Sequence, residues 1–524
     1  MKGEDLFEVL SDLDDQKILE AKQASFRKKA RRRAMWSMAA ALLVLCILGA
    51  LILPRLPFGK GGEEEARLGR EEAAEEEAAA EETPPQEGEE SSPAETEPVS
   101  GNLAGTVPES LILTQAMYPQ PVAADLTPEQ YMESDAYGKW WEDQWRKTDI
   151  SSGYVASMTA FDQEIMEKLL SSGEDNTVCS PLNTCIALAM LSEVTEGESR
   201  KQILDALHVS DMEELRKKTR ALWEANYADT PSLKSLLANS LWLRAGDDYD
   251  MDTLGRLSDI YFASAFGGDP GSEEMTRALQ AWTDQNTGGL LKEYTEGMKL
   301  SPDTVLALVS TIYYKAAWQN TFREGATSPG TFHGAKGDTD ARMMHMSDVM
   351  GVYRTDGFTG ISLGLADSGA MHFYLPAEGK DVNALLTDPE IWKVLSCGGE
   401  EGWSYPEVNL TLPKFKVSGK TDLIPVLSEL GIRDVMDPSL SDFSPLKKDA
   451  DGLALTAAEH AAMVEIDENG VTGAAYTELS VEDAGALEPE EVIDLTFDRP
   501  FLFMVTGRDG SVLFSGVVRN IEPE

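Results

Sequence analysis

The chain's five histidines (His208, His333, His345, His372, His460) and four cysteines (Cys46, Cys179, Cys185, Cys397) are its first candidates for metal or nucleophilic chemistry. Their spacing argues against both. No histidines form H-E-x-x-H, no cysteines pair at zinc-binding intervals, and no G-x-S-x-G elbow or phosphate loop occurs. Cys179 and Cys185 lie in apolar sequence and read as buried thiols. The expectation is a protein with no catalytic residue, metal or cofactor of its own. A different stretch stands out: DENGVTGAAYTELSVEDAG, Asp467 to Gly485. Val471, Gly473, Ala475, Thr477, Leu479 and Val481 are uncharged and mostly small, whereas the alternate set carries Tyr476, Glu478 and Glu482. Period two is the mark of a half-buried strand. Yet Gly and Ala are poor strand formers, so this face is unusually thin.

The elements that must hold such a stretch are legible around it. Helical spacing runs over 161–170, 183–193, 198–207 and 212–223, and strand-like runs cover 304–314, 370–375, 408–416 and 501–506. Long strands mixed with helices, without βαβ alternation, predict an α+β domain with large mixed sheets. That globular composition spans 149–524, and an aromatic lead-in, 108–148, precedes it and is expected to pack on it.

The N-terminal part has another character. Ala34 to Leu53 is twenty residues without a charge, about 30 Å as a helix, and RKKARRR stands directly before it. The positive-inside rule places residues 1–33 in the cytoplasm, a single anchor over 34–56 in the bilayer, and the rest outside. A cleaved signal peptide fits less well, because the preceding segment and apolar run are too long and no small-x-small site follows. Residues 57–107 read as an acidic disordered linker: Gly61 to Ser100 holds fifteen Glu against two Arg. The net charge of −46 excludes nucleic-acid binding through phosphate neutralisation.

A series of blocks then carries a family resemblance. NTVCSPLNTCIALAMLSEVTEGESRKQIL, LANSLWL, LQAWTDQNTGGLL, VLALVSTIYYKAAWQNTF, VNLTLPKFKVSG, LSELGIRDVM, SDFSPL, EHAAMVEIDENGVTGAA, FDRPFLFMV and VLFSGVV follow one another in order. Together they resemble the serpins, over about seventy per cent of the chain, and the anchor and stalk resemble those of bacterial cell-surface proteins. The resemblance implies a serpin fold of about three β-sheets and eight or nine helices, with an exposed reactive-centre loop.

It also implies a function: inhibition of a serine or cysteine protease by a monomeric suicide substrate, whose cleaved loop enters the main sheet as an extra strand. The thin face then has a reason. A guest strand must bring small, uncharged side chains, since overpacking and buried charge both cost stability. The hinge residues implied are Glu468, Gly470, Val471, Gly473, Ala474, Ala475 and Thr477. Trp318 matches the tryptophan where the hinge first enters. Ser180 and His460 match the cluster under the central strands, where Asn183 and Ser310 exchange the family's usual Ser and Asn. Hydrogen bonding would survive that exchange if the two positions face each other. Counting from Glu468 puts the cleaved bond at Ala484–Gly485, with Ala486–Leu487 and Leu487–Glu488 as alternatives. A small or apolar side chain there suits an elastase-like or subtilisin-like protease. The competing class is a non-inhibitory serpin acting as a carrier or chaperone.

Overall fold

Three β-sheets occur among the described residues, and the largest is the one the thin segment would have to enter. The computed structural model describes residues 107–171, 173–395, 402–450, 452–471 and 491–522, all within the unit Glu90–Glu524. The expected anchor (34–56), the linker and hinge positions Gly473, Ala474, Ala475 and Thr477 lie outside the described residues, as do the candidate cleavage sites at Ala484, Gly485, Ala486, Leu487 and Glu488. Among the described residues no helix is long and apolar enough to cross a membrane.

Sheet A runs in the order β1 (Ile112–Thr114), β5 (Ala263–Gly268), β4 (Leu233–Arg244), β6 (Leu306–Ala317), β16 (Gly470–Val471), β15 (Glu459–Ile466), β14 (Phe415–Asp422), with β3 (Ala228–Asp229) on β4. Sheet B holds β12 (Trp403–Ser404), β9 (Val352–Arg354), β10 (Phe358–Gly364), β11 (Ala370–Pro376), β18 (Phe501–Thr506), β19 (Val512–Val518) and β2 (Thr177–Cys179). Sheet C holds β17 (Val492–Thr496), β13 (Glu407–Pro413), β8 (Gly337–Val349) and β7 (Ser328–Gly334). The expected strand over 408–416 is two strands in different sheets. Pro413 ends β13, the Lys414 N–H bonds to Arg342 O, and the chain turns from sheet C into sheet A.

Eleven α-helices occur among the described residues, more than the expected eight or nine. They are α1 (Pro128–Met132), α2 (Asp135–Val155), α3 (Thr159–Leu170), α4 (Pro181–Glu193), α5 (Gly197–Ala206), α6 (Met212–Asn226), α7 (Met251–Tyr261), α8 (Glu273–Asn286), α9 (Lys292–Thr295), α10 (Ile391–Leu395) and α11 (Ile424–Glu429). The excess comes from α1 and α2 of the lead-in and from pieces too short to show a helical period. Helix α4 is buried on nearly every face, which suits a helix apolar all round, and it packs beneath β6 and β19. Helix α8 covers the other side of sheet A, where Leu279 and Trp282 join Trp242 and Phe266 in a second core.

The lead-in is a strap. β1 adds an antiparallel edge strand to β5, and Leu111 enters the core under α8. Tyr118 lies 6.0 Å from the Trp223 ring and 6.2 Å from Tyr227, and its hydroxyl donates to Phe262 O at 2.9 Å. A capping box of Thr127 and Gln130 starts α1. Helix α2 then runs along α6, with the Tyr137 hydroxyl bonded to Asp367 at 2.8 Å and the Arg508 guanidinium 3.5 Å from the Trp141 ring centre.

Candidate functional site

The hinge begins at a tight turn. β15 ends at Ile466, and the Asp467 carboxylate accepts from the N–H groups of Asn469 at 2.7 Å and Gly470 at 3.1 Å. Asp at the first turn position and Gly at the fourth is the composition such a turn prefers. The chain returns as β16, where Val471 faces Ile466 on one side and Ala316 on the other. Two hinge residues, Gly470 and Val471, are thus already strand residues of sheet A, and Val471 is 1% exposed.

Gly470 is there because nothing larger fits. A methyl group on it would lie 2.2 Å from Ala316 O and 2.8 Å from Ala317 Cα, both backbone atoms of β6. Glu468 is held beside the turn. Thr327 Oγ1 donates to its Oε1 at 2.7 Å, and Lys414 Nζ stands 3.2 Å from Oε2. Burial opposes its ionisation, but these two groups and its own backbone N–H outweigh burial and hold its carboxyl below the usual range.

Trp318, which the resemblance matched to the family's tryptophan, lies beside the Asp467–Gly470 turn. It is fully buried, its backbone N–H donates to Asn469 O at 2.9 Å, and its indole N–H donates to Asp467 O at 2.8 Å. It also bridges to Leu365 at the tip of the β10–β11 hairpin. Next to that tip, Asp367 receives Tyr137 from the lead-in and Ser232 from the approach to β4.

Under the sheet, three of the four expected cluster residues meet. Ser180 caps α4 by accepting the Asn183 N–H at 3.3 Å, and the Ser180 N–H donates to His460 Nε2 at 2.9 Å. Burial pulls the His460 pKa down to about 4, so the ring is neutral at pH 7 and Nε2 can accept. Ser310 does not join them. Its partner across the β4–β6 ladder is Asn239, and Ser310 Oγ and Asn183 Oδ1 are both buried without a hydrogen-bond partner among the described residues. The expected Asn–Ser exchange is therefore not a formed hydrogen bond in this state. Each orphaned acceptor or donor costs roughly 1–3 kcal/mol.

Sequence reading missed Asp467, Thr327, Lys414 and Asp367. The DENG turn was a usable signal for Asp467; the other three act across long sequence separations that no local pattern records. Cys179 and Cys185 are fully buried free thiols, and burial pushes the Cys185 pKa up to about 12. Among the described residues no His, Cys, Asp and Glu group could hold a metal ion.

The family model described as Serpin (serine protease inhibitor) matches residues 156–521. The chain belongs to the serpin family. It is 28% identical over 369 residues to an uncharacterized serpin-like protein of Thermococcus kodakarensis, covering 67% of this chain and 82% of that protein. It is 26% identical to Serpin B11 of Mus musculus, covering 69% of this chain and 98% of that one. Among solved structures, the native state of the thermophilic serpin Tengpin superposes with a TM-score of 0.62 at 22% identity, over 70% of this chain and 94% of Tengpin. Human thyroxine-binding globulin, in complex with its hormone, gives 0.61 at 22%, over 72% and 100%. This serpin's lead-in up to Val155, strap and helix α2 included, precedes the family match.

Proposed function

We propose that this serpin is an inhibitor of serine proteases that acts as a suicide substrate, displayed outside the cell on an N-terminal membrane anchor. A protease attacks the loop at or near Ala484–Gly485 and becomes acylated through its own nucleophile. The freed segment then continues the strand begun at β16, between β6 and β15, and carries the protease with it before deacylation. The serpin itself supplies no catalytic residue. The observation that carries the reading is β16: Gly470 is already paired with β6 and Val471 with both β6 and β15, and uncharged, mostly small residues follow in sequence at every second position. The elastase-like or subtilisin-like preference rests on the small and apolar residues at 484, 486 and 487. The bilayer location rests on the apolar run at 34–53 behind its basic flank.

The test mixes the full-length chain in detergent with elastase-like, trypsin-like and subtilisin-like proteases. The expected result is an adduct that survives denaturing electrophoresis with at least one of the first and third classes. It should be accompanied by a C-terminal fragment beginning at Gly485, Leu487 or Glu488. Cleavage with full turnover and no adduct would replace this reading with that of a carrier. An Ala475→Arg variant should be cleaved without forming adduct, because strand growth would bury an unpaired charge.

A further inference from the structure

The solvent face of sheet C is acidic, adjoins Glu491 where the described chain resumes, and has no part in the proposed inhibitory mechanism. The strand register places its side chains in rows. Val349, Glu407 and Val492 form one row; Ser347, Asn409 and Asp494 form the next; His345, Thr411 and Thr496 form the third. The rows are fixed by hydrogen bonds: Ser347 to Glu407 at 3.1 Å, Ser347 to Asn409 at 2.9 Å, and Asn409 Nδ2 to Asp494 at 2.9 Å. Below, His345 bonds Ser328 and Thr411. The first row is unusually apolar for a solvent face. Val349 is 46% and Val492 59% exposed, and Tyr405, whose ring lies over Gly351, is 57% exposed.

Beside the rows, the segment from Asn320 to Ala326 walls a cleft of about 490 Å³ with Ser347, Asp348 and Asn409. Its charged groups are Asp348, bonded to Asn320, and Arg323. With Glu407 and Asp494 the surface carries three carboxylates against that one base. Glu491, just before β17, is engaged by Arg354 at 3.6 Å.

We propose that this face is a second contact surface for the target protease, taking a basic, partly apolar rim beside the protease's active-site cleft. The proposal rests on the inhibitory reading. The described chain resumes at Glu491 and enters the first row at Val492. From Gly485 to Glu491 a fully extended chain spans roughly 20–25 Å at most. A protease domain of about 230 residues is roughly 45 Å across, so one engaged at the loop overhangs sheet C. Exposed Val349, Tyr405 and Val492 give that overhang something apolar to cover, and the paired carboxylates select a cationic rim.

The test measures second-order rate constants of inhibition by the full-length chain against two elastases of like cleavage preference, one cationic and one anionic, at low and high salt. The wild type is expected to react faster with the cationic enzyme, by about tenfold or more at low salt. The Glu407→Lys/Asp494→Lys double variant should lose that advantage, with the number of serpin molecules consumed per protease unchanged. Glu274→Lys on α8 should leave it intact. Glu407→Gln and Asp494→Asn, which keep hydrogen-bonding groups in place, carry the same test if charge reversal unsettles the sheet. Equal rates for wild type and variants, with adduct still forming, overturn the surface and leave the inhibitory reading standing. Absence of adduct from the wild type with every protease overturns both.

Discussion

The indole N–H of Trp318 donates to the backbone carbonyl of Asp467 at 2.8 Å, tying the end of β6 to the turn from which the hinge departs. The ring is fully buried and meets Phe322 edge-on at 6.2 Å, so packing and hydrogen bonding act at one residue. Trp318→Phe keeps most of the packing and orphans the Asp467 carbonyl. The expected cost is about 1–3 kcal/mol, seen as a lower urea midpoint. A midpoint within error of wild type would mean that the backbone bond from Trp318 to Asn469 holds the turn alone.

Gly470→Ala tests the adjoining strand. Its new methyl would meet β6 backbone at 2.2 Å, and backbone atoms cannot swing aside as a side-chain end would. β16 must move outward, at about 1–3 kcal/mol for overpacking. The variant should show a lower urea midpoint and faster cleavage of its loop by a non-target protease. Unchanged values for both would show that β16 is not seated as described.

Ser180, Trp318 and His460 were legible because each stands inside a block whose residue order identified the fold. The long elements were legible too: the 3.6 period over α3–α6 and the apolar run of β18 appear within a few residues of their sequence positions. β1 was not, since ILT has no alternation and becomes a strand only by pairing with β5. The clamp on Glu468 was hidden because Thr327 and Lys414 reach it from other elements. The Asn183–Ser310 pairing failed for a related reason. Residue type alone suggested compensation, but the β4–β6 register sets Ser310 opposite Asn239.

His460 should make stability depend on acidity. Its folded pKa of about 4 lies below the ordinary 6.5, so the unfolded chain binds the proton more readily. The stability it contributes is present above about pH 6.5 and is lost as the pH falls from there toward 4, to a total on the order of 3 kcal/mol. Protonation also removes the acceptor for the Ser180 N–H. Asp162 works oppositely: burial raises its pKa to about 8 against the pull of Lys218, so acid stabilises it. The decisive quantity is the difference between wild type and His460→Gln in urea midpoints at pH 7.5 and 5. The variant should lose less stability on acidification. Parallel losses would remove His460 from the account.

The lead-in should be part of the fold's stability although the family match begins after it. Tyr118 is its anchor, lying against Trp223 and Tyr227 and donating to Phe262 O, and its donor–acceptor chain extends to the Asn239 N–H on β4. Removing an aromatic ring from a packed site costs about 3–5 kcal/mol when burial is complete. Tyr118 is partly exposed, so Tyr118→Ala should cost about 2–3 kcal/mol by the same principle. Tyr118→Phe, which keeps the ring, should cost about 1 kcal/mol for the hydroxyl's bonds. A chain beginning at Ala156 would lose Tyr118, β1 and α2 together, and it should unfold at clearly lower urea than the full chain. Equal midpoints for that truncation and the full chain would show that the strap rests on the serpin domain without supporting it.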